Sequence, residues 1–119
     1  MPGYVLVVDD EVQTSDFLIE FIGSLGYPAV PAYDGHAALE TMRADPPRLA
    51  LVDLMLPGMG GFELIRHMRA EPPLAGIPIL VCTARREARV PADIVQGVIY
   101  KPFDVVEVGR QVQALLAAA

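Results

Sequence analysis

The stretch "YVLVVDDE", Tyr4 to Glu11, carries the strongest single clue to the architecture. Val5 to Val8 are apolar without a break, the mark of a strand covered on both faces rather than on one. The run closes on Asp9, Asp10 and Glu11 with no basic residue beside them. Carboxylates gathered in one place raise each other's pKa unless a cation joins them. The strand therefore ends either in open water or in a site built for positive charge.

Four more short apolar runs follow, each closed by turn or acidic residues: Ala29–Ala32, Leu49–Leu54, Ile77–Cys82 and Gly97–Tyr100. Between them the apolar residues step by three and four, as on one face of a helix. The first such segment carries Val12, Phe17, Leu18, Phe21, Ile22 and Leu25 and stops at Gly26, a C-terminal cap. The second starts at Asp34 as N-cap, with Leu39 and Met42 facing inward. The third turns Phe62, Leu64, Ile65 and Met68 inward and stops before Pro72 and Pro73. The last lines up Val105, Val108, Val112, Leu115 and Leu116, with Gly109 a mild flaw, and runs into the terminal "LLAAA" as its last turn. The remaining interval, "ARREARVPADIVQ", has room only for a short helix with Pro91 at its first position. This alternation predicts one α/β domain over residues 1–119: a doubly wound, flavodoxin-like, five-stranded parallel sheet of order 2-1-3-4-5 with a shortened or irregular fourth helix.

Composition narrows the function classes. A chain of 119 residues, 53% hydrophobic and 20% charged, is large enough for one buried core. The net charge of −6 argues against nucleic acid and anionic membrane as partners of this domain. No apolar run approaches the ~20 residues of a membrane span, and "MPGY" lacks the features of a signal peptide, so a cytoplasmic location is expected. The lone Cys82, set in "ILVCTA", reads as a core thiol.

In open parallel sheets, ligands bind outside the carboxyl ends of the strands, and the polar residues stand there. Asp9 and Asp10 end the first strand, Asp53 sits near the end of the third, Thr83 ends the fourth and Lys101 the fifth. Three carboxylates against one lysine and one hydroxyl leave a shortage of positive charge. Mg²⁺, which takes hard oxygen ligands and keeps several waters, balances it. Asp53 is then a usable nucleophile toward phosphorus, giving an acyl phosphate, with Lys101 and Thr83 placed to stabilise the transferring oxygens. Simpler roles stand beside these: Asp9 and Asp10 as a helix cap, Thr83 closing a strand on local backbone, Lys101 as a surface lysine. Arg85, Arg86 and Arg89 read either as a solvated loop or as a docking patch for an acidic partner. His36 and His67 have no metal partners beside them and receive no role.

The acidic pair after the first strand, "LVDLMLPGMGG" around the third, "VCTA" at the fourth and "YKPF" after the fifth together resemble a two-component response-regulator receiver domain of the CheY-like superfamily. The resemblance spans essentially the whole chain. It implies Asp53 as phosphoacceptor, Asp9 and Asp10 as Mg²⁺ acids together with Asp53, and the backbone carbonyl of Met55 as a further ligand. It implies Thr83 as the switch hydroxyl, Lys101 as the pocket lysine, a Lys101–Pro102 bond that is often cis, and Pro57 and Gly58 as a loop shaping the pocket. The implied phosphodonor is a sensor histidine kinase or histidine phosphotransfer protein; the implied readout is a downstream protein target or fused output domain. The phosphotransfer is self-catalysed, so no enzyme acting on a separate substrate is expected. Two departures stand out. The stretch from Thr83 to Lys101 is shorter than in similar domains by about one helical turn, roughly four residues. The position three before the lysine, aromatic in the family, is Val98, while Tyr100 directly precedes Lys101. Two alternatives remain: a phosphorylation-independent docking or scaffold module, and an Asp53-dependent phosphatase of the haloacid-dehalogenase kind, against which stand Met55 in place of a second Asp and the lack of a cap.

Overall fold

The computed structural model describes residues 3–117. Its order is β1 (Val5–Val8), α1 (Val12–Ser24), β2 (Ala29–Ala32), α2 (Gly35–Ala44), β3 (Leu49–Asp53), α3 (Gly61–Ala70), β4 (Ile79–Thr83), β5 (Gly97–Tyr100) and α4 (Val105–Ala117). The sheet is parallel throughout, in the order β2-β1-β3-β4-β5. The last two alanines of "LLAAA" and the first two residues of "MPGY" lie outside the described residues.

Continuous apolar runs fill both faces of the central strands. Leu6 and Val8 of β1 join Leu39 and Met42 of α2 and Leu64, Ile65 and Met68 of α3 in one core. Val5 and Val7 join Leu18 and Ile22 of α1 and Val108, Val112 and Leu116 of α4 in the other. All residues of β1, β3 and β4 are buried, while the edge strands β2 and β5 are partly open. Fully burying a leucine-sized side chain contributes about 1.5–3 kcal/mol, and both cores are built from such residues.

Local signals act as expected at several element ends. The Asp34 carboxylate accepts the Ala37 N–H at 2.8 Å, capping α2. Leu25 caps α1, and Gly26 takes a left-handed φ of +99°, which turns the chain toward β2 at no side-chain cost. Three residues of the apolar stripes are exposed. Val12 and Phe17 are 54% and 44% exposed, because only the stripe of Ser15, Leu18 and Ile22 faces the sheet. Val105, at the first position of α4, is likewise exposed.

The larger correction concerns residues 84–96. No helix forms there, so the short helix expected at Pro91 is absent and the crossover from β4 to β5 consists of turns and extended chain. The Ile94 N–H reaches the Pro91 carbonyl at 3.3 Å, and by Gln96 the backbone is already bonded to Ile79 of β4. So few residues cannot recover the cost of nucleating a helix. Side chains hold the segment instead. Arg69 of α3 donates to the carbonyls of Ala75, Ile77 and Ile94, with bonds of 2.7–2.9 Å. The Gln96 side-chain carbonyl accepts the Ile79 N–H at 2.6 Å.

Candidate functional site

Parallel register brings the polar strand ends to one edge. Val8 pairs with Val52, Asp53 with Cys82, and Thr83 with Tyr100. Asp9, one residue past β1, therefore stands beside Asp53, and Lys101, one residue past β5, stands beside Thr83. Asp9, Asp53 and Thr83 are buried, at 2%, 5% and 0% exposure, while Asp10 is open to solvent.

The two buried carboxylates are held alike. The Asp9 Oδ1 accepts the Glu11 N–H at 2.9 Å, and the Asp53 Oδ1 accepts the Met55 N–H at 3.0 Å. Their Oδ2 atoms share the Lys101 ammonium, at 2.9 Å from Asp9 and 3.2 Å from Asp53. Thr83 Oγ1 accepts the Arg85 N–H at 3.0 Å, and the Lys101 N–H bonds the Thr83 carbonyl at 2.9 Å. The Lys101–Pro102 peptide is cis.

Electrostatics follow from this crowding. Burial pushes the Asp53 pKa up; the Met55 amide and Lys101 pull it down, the Asp9 charge pushes it further up, and the net effect is upward. Burial disfavours the Lys101 ammonium, but the hydrogen bond to Asp9 and the charges of both acids outweigh it and raise its pKa. The neighbouring Cys82 thiol is pushed up to about 12 by complete burial, so it is inert at neutral pH.

Oxygens of Asp9, Asp10 and Asp53 all lie within 4.8 Å of one another. The trans oxygens of an octahedral Mg²⁺ shell are about 4.2 Å apart, at bonds of 2.0–2.1 Å. An all-oxygen donor set of this span, with one acid open to water, fits that ion. The bond from the Met55 N–H to Asp53 keeps the Met55 backbone beside the same acids.

Asp9, Asp10, Asp53, Thr83 and Lys101 are thus gathered as the sequence indicates. Val98 and Tyr100, both on β5, are each partly buried, and the Arg86 guanidinium lies over the Tyr100 ring, 4.9 Å from its centroid. His36 and His67 are exposed and remote in role, His67 lying 3.9 Å from Glu63 on the same helix. One supporting residue escapes sequence reasoning. A β-carbon on Gly61 would stand 2.6 Å from Leu54 Cα and closer still to the Asp53 carbonyl oxygen. Only glycine lets α3 start against the acceptor strand. The second glycine of "MGG" was the available signal, but it reads equally as ordinary turn composition.

Comparison with known proteins agrees with this geometry. The family model for the response regulator receiver domain matches residues 5–113. The DNA-binding response regulator MtrA of Mycobacterium tuberculosis is 35% identical over 94% of this chain and 50% of its own length. The response regulator GtcR of Aneurinibacillus migulanus is 31% identical over all of this chain and 50% of its own. The chain thus spans about half the length of these curated relatives. Among solved structures, a putative response regulator from Chloroflexus aurantiacus superposes with a TM-score of 0.91 at 27% identity, covering 98% of this chain and 99% of that one. Sheet order, acidic edge and a family match reaching from residue 5 to residue 113 lead to one conclusion: the chain belongs to the response regulator receiver domain family of two-component systems.

Proposed function

We propose that Asp53 accepts a phosphoryl group from a phosphohistidine donor in a Mg²⁺-dependent reaction, and that this changes how the domain binds its downstream partner. The observation that carries the reading is the shared lysine: two buried carboxylates with one ammonium between them and a third acid at the rim. A sensor histidine kinase or histidine phosphotransfer protein supplies the group. An Asp53 oxygen attacks phosphorus as the P–N bond breaks. The bonding pair stays on the imidazole nitrogen, which takes a proton from water, and Asp53 becomes an acyl phosphate.

Asp9, Asp10, Asp53 and the Met55 carbonyl would hold the Mg²⁺, which would supply positive charge for the phosphoryl oxygens. Lys101, already 3.2 Å from the Asp53 carboxylate, lies close enough to follow the new charge. The Arg85 amide fills an acceptor site of Thr83 Oγ1, which leaves the hydroxyl proton free to donate to a phosphoryl oxygen. The chemistry is performed on the protein itself, and the position two after Asp53 is Met55, with no acid there to serve a phosphatase acting on other substrates. The reading places the reaction in the cytoplasm; among the described residues no helix is long and apolar enough to cross a membrane. A fused output domain or separate protein reads the change.

The helix-free segment 84–96 favours one second reading, a docking module that works without regulated phosphorylation. Reductive trapping separates the two. Protein exposed to acetyl phosphate and Mg²⁺, then treated with borohydride, should give homoserine at position 53 in peptide mass maps. Unmodified Asp53 from folded protein leaves the docking reading.

A further inference from the structure

We propose that the loop 84–90 is a docking surface for an acidic protein segment, with Arg86 as its anchor and Tyr100 as the platform that holds Arg86 in place. This goes beyond the phosphotransfer reading and does not depend on it.

The cations are unevenly disposed in this chain of net charge −6. Three of the nine basic residues pair with carboxylates elsewhere in the fold, and a fourth is spent on backbone. Arg43 pairs with Glu71 and Arg110 with Glu107, Lys101 is shared by Asp9 and Asp53, and Arg69 is spent on backbone carbonyls. Arg66 stands exposed by itself on α3, whereas Arg85, Arg86 and Arg89 are clustered. All three are exposed on one short loop. Arg85 has only a 3.5 Å contact with the exposed Glu87. Among the described residues no carboxylate stands within ion-pair distance of Arg86 or Arg89.

Arg86 is nonetheless ordered by contact. Its guanidinium covers the Tyr100 ring at 4.9 Å, and stacking on an aromatic face leaves the in-plane N–H fork free for a carboxylate. A guanidinium fixed in this way loses less side-chain entropy on binding than a free one. The crossover is also divided mechanically. Residues 94 to 96 are locked by Arg69 and by bonds to Ile79. Before Pro91, the backbone bonds are the Arg85 N–H to Thr83 and the Ala88 N–H to Arg85. The arginines therefore sit on the less constrained half, able to adjust to a partner.

A fluorescein-labelled twelve-residue peptide of alternating Glu and Ala, followed by anisotropy at low salt with unphosphorylated protein, tests this. Binding should weaken at least fivefold in Arg86→Gln and in Arg89→Gln. It should change less than twofold in Arg66→Gln, which removes an exposed arginine from α3 instead. Tyr100→Leu should weaken binding and Tyr100→Phe should preserve it, a split that loss of charge alone does not produce. Each variant must keep the wild-type thermal midpoint; an Arg86 or Arg89 variant that does not is replaced by Lys at the same position, which keeps the charge but loses the guanidinium fork and should still bind more weakly, and a Tyr100→Leu that does not is replaced by Tyr100→Ile. The proposal is overturned if wild type shows no binding at millimolar peptide, if Arg66→Gln weakens it equally, if Tyr100→Leu leaves it unchanged, or if single-stranded DNA of equal charge binds more tightly.

Discussion

Lys101→Met isolates the interaction at the centre of the site. The substitution keeps the length of the stem and removes the ammonium that lies 2.9 Å from Asp9 and 3.2 Å from Asp53. Both acids are almost wholly buried, while the lysine side chain retains 20% exposure. Breaking a fully buried pair costs about 3–5 kcal/mol because a charge is left alone; an exposed pair is worth about 0–1 kcal/mol. The geometry sits nearer the buried limit with some screening at the rim, so a loss of about 2–3 kcal/mol is expected. At about 4 °C per kcal/mol for a domain of this size, the midpoint should fall roughly 8–12 °C in divalent-free buffer at neutral pH. The pH dependence fixes the cause. Lys101 has a raised pKa in the fold, so its contribution is complete below the ordinary lysine value of about 10.4 and fades as pH rises through the folded value. Wild type should lose stability on that alkaline limb by more than Lys101→Met does. Asp53 has a raised pKa too, so its charge destabilises above the folded value, and the mutant's deficit should shrink as acid protonates it. Urea unfolding at several pH values, with unchanged m, measures all of this. A midpoint within 2 °C of wild type at neutral pH would refute the shared-cation account.

Other expectations follow from the same geometry. Asp10 is exposed, so Asp10→Asn should leave metal-free stability within about 0.5 kcal/mol yet abolish the stabilisation by Mg²⁺, which for wild type reaches about 2.7 kcal/mol at one hundred times Kd; differential scanning fluorimetry with and without the ion reads both. Asp53→Asn removes a buried charge whose pKa is raised by burial, so it should increase the metal-free midpoint at neutral pH, and the gain should vanish in acid. Gly61→Ala forces α3 away from the Asp53 carbonyl, with an expected cost of about 1–3 kcal/mol, visible as a 4–12 °C lower midpoint. Arg69→Gln strands the carbonyls of Ala75, Ile77 and Ile94, and trypsin should then cut at Arg85, Arg86 or Arg89 several times faster; an unchanged rate would mean the clamp does not hold the crossover.

Much of this architecture is legible because it is local. An unbroken apolar run needs no knowledge of its neighbours to read as a covered strand, and Val5–Val8, Ala29–Ala32 and Gly97–Tyr100 have the expected bounds. The site is legible for a topological reason: parallel strands deliver residues at their carboxyl ends to one edge whatever lies between. What the sequence hides depends on distant contacts. Residues 84–96 carry enough Ala, Arg and Glu to suggest helix, but the fixed distance from Thr83 to Lys101 leaves too little chain, and Arg69 and Gln96 stabilise the turns instead. Arg69 lies in the third helical segment, and nothing nearby in sequence marks it as a clamp. Val12 and Phe17 fit the helical period yet face outward, because periodicity locates a stripe but not its width.

The role of Asp53 is checked by the intact mass of the protein after incubation with acetyl phosphate, with and without Mg²⁺, for wild type and Asp53→Asn. Wild type should gain one phosphoryl group only when Mg²⁺ is present, and Asp53→Asn should gain none. No gain by folded wild type under either condition, or an equal gain in the variant, would contradict the assignment of Asp53 as the phosphoacceptor.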